Sequence, residues 1–257
     1  MTNFDTQNKD LKILAIIPAR MGSSRFPGKP LALINGTPMI GHVYNNVSKA
    51  SLLTQVVIAT CDREIYDYIT SIGGLAIMTS SHHERASDRC AEALLYLENT
   101  QSVRYDIVVM VQGDEPMTHP AMISEVLAPM MQDNSIQVAN LIAPIESDEE
   151  FNDRNCIKVV CNLSGDALYF SREAIPTLAR SVNVPLGKQV CIIPFRRDYL
   201  LEYTSLPPTP LEIAESIDML RVLEHGGRVR MVRTFHQTFA VDTPEDLLKV
   251  SKLMSSD

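Results

Sequence analysis

The sequence predicts an α/β fold: a mostly parallel sheet with helices covering both faces. Three observations predict it. Short apolar runs recur through the first half and stop at polar or turn residues. A helix-length segment follows most of them, and strand–helix alternation of this kind builds parallel sheets. The strands are apolar along their whole length instead of alternating, as expected where both faces are buried.

Taken in order, residues 1–10 are polar and read as a leader. Leu11 to Pro18 is the first strand, and the polar, Gly-containing segment Arg20 to Lys29 is a loop. Pro38 to Ala50 is a helix with proline in its first turn. Gln55 to Thr60 is the next strand, and Asp62 to Ile72 the next helix, stopped by Gly73-Gly74. Leu75 to Met78 is a short strand. Ser87 to Leu97 is a helix with Ser87 as its expected N-cap. Tyr105 to Gln112 is the most apolar strand, followed by a helix over Pro120 to Met131. The second half changes character: Gln137 to Pro144, Ile157 to Asn162, Ala167 to Phe170 and Gly187 to Phe195 read as strands with few helices between them. Pro210 to His225 reads as one long helix ended by Gly226-Gly227. Arg228 to Thr234 is a strand, and Thr243 to Met254 a final helix with Thr243 as N-cap and Pro244 at its first position. No internal repeat or low-complexity segment interrupts this order, so residues 11–257 read as a single domain.

Composition narrows the function. The formal net charge is -8, which argues against sequence-independent nucleic-acid binding, since that relies on surplus Lys and Arg. An anion site must therefore be a local cluster of positive charge. The five cysteines form no CxxC pair and have no zinc-ligand spacing with histidine, so free thiols in a reducing cytoplasm are expected. The sequence contains no signal-peptide core and no apolar run of membrane-spanning length, so no membrane partner is expected.

Three motifs carry chemistry. The loop after the first strand, Pro18-Ala19-Arg20-Met21-Gly22-Ser23-Ser24-Arg25-Phe26-Pro27-Gly28-Lys29, places three cations, two hydroxyls and two glycines within ten residues. Backbone N–H groups released by glycine curl around anions, and Arg20, Arg25 and Lys29 suit a triphosphate. The pattern is neither GxGxxG nor GxxxxGK[ST], which disfavours the dinucleotide oxidoreductase and P-loop readings. The second motif, Val111-Gln112-Gly113-Asp114-Glu115-Pro116, ends the most buried strand. A carboxylate there suits Mg²⁺ held against phosphate oxygens, although alone it also fits a turn acid. The third, Val241-Asp242-Thr243-Pro244-Glu245-Asp246, places Asp242 before a capped helix. It too fits an acid at a helix N-terminus when read alone. Together the three point to a metal–triphosphate site. His82-His83-Glu84 reads as a solvated loop, because adjacent histidines seldom converge on one ion.

In this order the motifs, together with Ala167-Leu168-Tyr169-Phe170-Ser171-Arg172, resemble the CMP-Kdo synthetases (3-deoxy-manno-octulosonate cytidylyltransferases) from about Ile13 to about Val250. The resemblance implies a Rossmann-like nucleotidyltransferase fold with a smaller substrate and dimerisation lobe near residues 145–210. It also implies a homodimer, Mg²⁺, CTP and an acidic keto-sugar as ligands, and a role in lipopolysaccharide biosynthesis. By matching motif, Pro18, Ala19, Arg20, Ser23, Arg25, Lys29, Ser87 and Arg89 would hold CTP. Asp114 and Asp242 would hold the metal, and Arg20, Lys29, Asp114 and Asp242 would carry the chemistry. Gln112, Arg172, Gln189 and Asp218 would face the sugar acid.

The departures cluster. The family's SGT[ED]R stretch is Arg85-Ala86-Ser87-Asp88-Arg89 here. Its pocket histidine is Gln189, a tyrosine is Ile193, and a Glu-Gln pair is Asp218-Met219. A pocket that hydrogen-bonds hydroxyls rejects ligands that leave its polar groups unpaired. Lost polar groups thus suggest a modified Kdo or another 2-keto-3-deoxy acid, against neutral change in a true Kdo enzyme. Alternatives are CMP loading of a nonulosonic acid or small anionic metabolite, and a catalytically silent nucleotide-binding regulator.

Overall fold

The computed structural model describes residues 11–23, 25–181 and 183–255, so the expected leader lies outside the described residues. The chain divides into two compact units, one of residues up to Ser124 plus those from Gln237, the other of Glu125–His236.

In the first unit the strands are β1 (Ile13–Ala19), β2 (Leu33–Ile34), β3 (Thr37–Pro38), β4 (Gln55–Thr60), β5 (Ala76–Met78) and β6 (Ile107–Val111). The helices are α1 (Met39–Val47), α2 (Arg63–Ser71) and α3 (Ala86–Gln101), while α4 (Pro120–Gln132) contains the boundary between units. Strands β6, β1, β4 and β5 lie side by side in that order, all parallel. Every residue of β6 is buried, as is Ile13 to Ile17 of β1, which accounts for their unbroken apolar sequence. Parallel strands share one carboxyl edge. Because the chain passes from β1 to β4 on one flank and returns to β6 on the other, the strand order reverses at β1. Ligand crevices of open α/β sheets form at such a point. The short β2–β3 hairpin turns through Asn35 and Gly36, both at positive φ (49° and 85°), the geometry an Asn-Gly turn favours.

The second unit holds β7 (Ala139–Pro144), α5 (Asp148–Asn152), β8 (Lys158–Cys161), β9 (Ala167–Ser171), β10 (Gly187–Val190), β11 (Ile192–Arg196), α6 (Arg197–Ser205), α7 (Pro210–Glu215), α8 (Met219–Glu224) and β12 (Arg230–Arg233). Its sheet runs β12-β7-β10-β8-β9, with β12 parallel to β7 and the other pairs antiparallel. The chain then returns to the first unit, where α9 (Pro244–Leu253) closes the sequence of elements.

Most expected elements appear within a few residues of their predicted limits; the β2–β3 hairpin and α5 were not expected from the sequence, and four further points differ. The Gly187–Phe195 run breaks into two strands at Cys191. Helix α6 was not expected from the sequence. The N-cap of α3 is Arg85, so Ser87 lies inside the first turn and is not the cap.

The long helix over 210–225 is two helices, α7 and α8, separated at Ser216 with left-handed backbone (φ 53°, ψ 50°). That conformation costs a non-glycine residue about 1–2 kcal/mol. The break lets Arg221 fold back onto Glu212, with Nε–Oε2 at 2.7 Å and Nη2–Oε1 at 2.6 Å. In one unbroken helix residues nine apart would be separated by about 13 Å along the axis. Both side chains are almost wholly buried, and the guanidinium also lies 5.0 Å over the Tyr203 ring.

Replacing one member of a buried ion pair strands the other charge. Glu212→Ala should therefore lower stability by about 3–5 kcal/mol in urea unfolding. Glu212→Ala/Arg221→Met should regain much of that loss. A single variant as stable as wild type would show that the pair is not what holds the α7–α8 corner.

Candidate active site

The loops that follow β1, β4 and β6 all leave the sheet at its carboxyl edge. Ile16 pairs with Met110 in the β1–β6 register, so the residues just past β1 and β6 run on side by side. Gly113 eases that approach: a Cβ there would sit 3.2 Å from the Pro18 carbonyl and 3.0 Å from Ile40 Cδ1, so a neighbour would have to shift. Asp114 follows immediately.

Lys29 is where the three predicted motifs meet. Gly28, at φ 75°, turns the chain into a short 3-10 helix that begins at Lys29. The Lys29 ammonium donates to Asp114 Oδ2 at 2.8 Å and to Asp242 Oδ1 at 3.2 Å. An Arg25 guanidinium nitrogen lies 3.0 Å from the same Asp242 oxygen. The Lys29 side chain is 11% exposed and the two carboxylates 25% and 23%, so the cluster opens to solvent through its acids. Burial alone would lower the Lys29 pKa. The charge and hydrogen bond of Asp114, then those of Asp242, outweigh it, and the net shift is upward from 10.5. Lys29 is thus a fixed positive charge at neutral pH.

The backbone fixes the two acids as firmly as their side chains do. Val241 donates its N–H to the Asp114 carbonyl at 2.9 Å, which ties the two acid-bearing segments together. Asp246 accepts the N–H groups of Asp242 (3.0 Å) and Thr243 (2.9 Å), while Thr243 Oγ1 accepts the Asp246 N–H at 3.2 Å. This reciprocal cap starts α9 at the predicted residue. Beneath it, Ile34, Met39, Val241 and Val250 form a buried cluster against which Phe26 and Phe239 pack. One apolar patch thereby joins the basic loop to the segment that carries Asp242.

Two carboxylates already gathered about one cation fit a hard divalent ion, which takes oxygen ligands and completes its shell from phosphate and water. No group of three or more His, Cys, Asp or Glu suited to a metal occurs among the described residues. An ion at Asp114 and Asp242 would therefore depend on ligand oxygens.

The family model described as Cytidylyltransferase matches residues 14–234. The 3-deoxy-manno-octulosonate cytidylyltransferase of Geobacter metallireducens is 43% identical over 256 residues, spanning 95% of this chain and 98% of that protein. The chain belongs to the CMP-Kdo synthetase family of cytidylyltransferases. Its relative of the same name in Syntrophus aciditrophicus is 43% identical over 95% of this cytidylyltransferase and 97% of that protein. Among solved structures, CMP:2-keto-3-deoxy-manno-octonic acid synthetase complexed with CTP matches with a TM-score of 0.87 and 39% identity. That match covers 95% of this chain and 99% of the other.

The other expected site residues of this cytidylyltransferase fall into two sets. In the first unit, Pro18 and Ala19 end β1, Arg20 is exposed just beyond, and Gln112 is half-buried beyond β6. Ser23 Oγ accepts the Phe26 N–H at 3.3 Å inside the loop. Arg89 is buried and bonds Thr79 Oγ1 and the Ser80 carbonyl. Ser87 is fully buried, and its hydroxyl has no hydrogen-bond partner among the described residues.

Arg172, Gln189 and Asp218 belong to the second unit. The Arg172 guanidinium donates to the carbonyls of Glu215 (2.6 Å), Arg154 (3.0 Å) and Ser216 (3.3 Å). Gln189 Nε2 donates to Asn140 Oδ1, and Asn140, fully buried, passes its own amide hydrogens to the Val190, Leu141 and Ile192 carbonyls. Asp218 accepts the Tyr203 hydroxyl on its carbonyl at 3.0 Å. Ile193 and Met219, which stand where the family has tyrosine and glutamine, are buried in the core. His83 pairs with Glu92, and Glu92 Oε2 also accepts the Ser80 N–H at 2.9 Å, which ties the residues around His82 to α3. Sequence reasoning missed Asn140 and Glu92, because neither belongs to a spaced motif.

Two outcomes follow from these environments. Removing the orphaned hydroxyl in Ser87→Ala should leave the thermal midpoint unchanged or raise stability by up to about 1 kcal/mol; a marked drop would show that the hydroxyl has a partner. The raised Lys29 pKa means that its ion pairs contribute fully below 10.5 and are lost as pH climbs through the higher folded-state value. The stability difference between wild type and Lys29→Met should thus hold steady from about pH 6 to 9 and shrink only in stronger alkali.

Proposed function

We propose that this cytidylyltransferase transfers CMP from CTP to the anomeric hydroxyl of a 2-keto-3-deoxy sugar acid, Kdo or a modified Kdo, and releases pyrophosphate. The observation that carries the reading is the convergence of Lys29, Arg25, Asp114 and Asp242 at the carboxyl edge of a parallel sheet. The names of its relatives supply the acceptor class, and Gln189 in place of the family's pocket histidine favours a modified form of it.

The attacking hydroxyl oxygen forms a bond to the α-phosphorus, the bond to the bridging oxygen of the pyrophosphate breaks in line, and the hydroxyl proton passes to solvent. Little covalent work falls to the protein, so positioning and charge neutralisation supply most of the rate. Lys29, Arg25 and Arg20 neutralise the phosphates. Ser87 and Arg89 serve the nucleotide, and Gln112, Arg172, Gln189 and Asp218 serve the sugar acid. Asp114 and Asp242 would hold Mg²⁺, which would supply charge withdrawal from the phosphate oxygens and acidify the attacking hydroxyl. They act as ligands and not as general bases. The five free cysteines suit a reducing cytoplasm, where the enzyme works as a homodimer.

Pyrophosphate release with CTP, Mg²⁺ and a panel of acids (Kdo, amino- or deoxy-substituted Kdo, a nonulosonic acid) tests the acceptor. Turnover fastest on a substituted Kdo is expected. Full-speed activation of Kdo would end the modified-acid reading, and CTP binding without release on any acid would favour a silent regulator. Asp114→Asn and Asp242→Asn should each lower kcat on the order of a hundredfold or more with the fold intact. Near-normal turnover by either would remove that residue from the ligand set.

A further inference from the structure

Asp62 stands outside the acid pair, and no motif in the sequence marks it. It occupies the N-cap of α2 with extended backbone (φ -108°, ψ 124°), where an aspartate side chain ordinarily accepts an N–H from the first helical turn. It makes no such bond. Its Oδ2 accepts the backbone N–H of Met21 at 2.7 Å, 41 residues earlier in the chain. The β1–β4 register explains the meeting: Ala19 pairs with Thr60, so Met21 and Asp62 are each two residues past the same rung. The Asp62 N–H bonds Thr60 Oγ1 at 3.1 Å, which holds the residue in place while its carboxylate reaches across.

The residue it grips also closes the basic loop through its carbonyl. The Met21 carbonyl accepts the N–H of Ser23 at 2.9 Å and of Gly28 at 3.0 Å. Gly28 turns the chain directly into Lys29. The connection therefore runs from Asp62 to the N–H of Met21, across that residue to its carbonyl, and on to Gly28, the residue that aims Lys29.

We propose that Asp62 is a positioning residue that keeps the Met21–Gly28 loop closed in the shape that receives the nucleotide phosphates. The inference rests on the reading of that loop as the nucleotide site. Asp62→Ser and Asp62→Asn test it. Serine caps helices as well as aspartate does but is too short to reach Met21, whereas asparagine keeps an oxygen at the same reach.

Asp62→Ser should speed amide hydrogen exchange over residues 20–29 in the ligand-free protein. It should also raise KM for CTP about tenfold, with kcat within about twofold and the thermal midpoint unchanged. Asp62→Asn should match wild type in all four. Wild-type exchange and KM in Asp62→Ser would overturn the proposal, as would equal impairment of both variants, which would assign the effect to charge and not to the bond. Lys29→Met in the same assay separates the two readings. An unchanged KM for CTP there would overturn the nucleotide site, while the exchange measurement would still decide the role of Asp62.

Discussion

Parallel pairing of β1 with β4 on one flank and β6 on the other is the constraint from which the site follows. It sends three loops out of one edge in fixed register. The basic loop, the Asp62 turn and the Asp114 turn are neighbours because their parent strands are neighbours. No local signal in any one loop is needed to bring them together. Once they are adjacent, a lysine two residues after Pro27 reaches an aspartate 85 residues away.

The fourth contributor arrives by a different route. Asp242 belongs to no strand of the sheet. It is held by the Val241 N–H on the Asp114 carbonyl, by the capping box that begins α9, and by the apolar cluster shared with Phe26. Each anchor is modest alone, since a cap or a single hydrogen bond contributes on the order of 1 kcal/mol. Acting on three successive residues, they leave the carboxylate little freedom to leave Lys29. The segment from Gln237 onward is therefore part of the same compact unit as the start of the chain, although the whole second unit intervenes in sequence.

Much of this was legible in the sequence for identifiable reasons. The parallel strands could be read because burial on both faces writes an unbroken apolar run, as in Ile107 to Val111. The caps of α9 could be read because Thr243, Pro244 and Asp246 act through their nearest neighbours. What escaped depends on contacts distant in sequence. The break between α7 and α8 goes with the return of Arg221 to Glu212, and nothing in the helical propensity of that stretch announces it. Asp62 looks like an ordinary helix cap until the β1–β4 register shows which N–H it faces. The motif residues of the site were visible as cations and acids. Their pairing was not, because Lys29 and Arg25 could have met solvent just as well as carboxylates.

That pairing sets the electrostatic problem the proposed reaction has to solve. The loop carries three cations, yet Lys29 and Arg25 are each engaged by a carboxylate. A bare triphosphate approaching this edge meets two acids together with the positive charge meant for it, in a protein whose net charge is already -8. Screening by water weakens the conflict only in part, because Lys29 is largely withdrawn from solvent. Under the proposed reading, a nucleotide that brought its own divalent ion would resolve it, since the acids would gain a partner and the lysine and arginine would be released toward the phosphates. On this view the internal ion pairs are what make the site discriminate. They keep the cations ordered when no ligand is present, and they would favour a metal-bound triphosphate over an anion that comes without a metal.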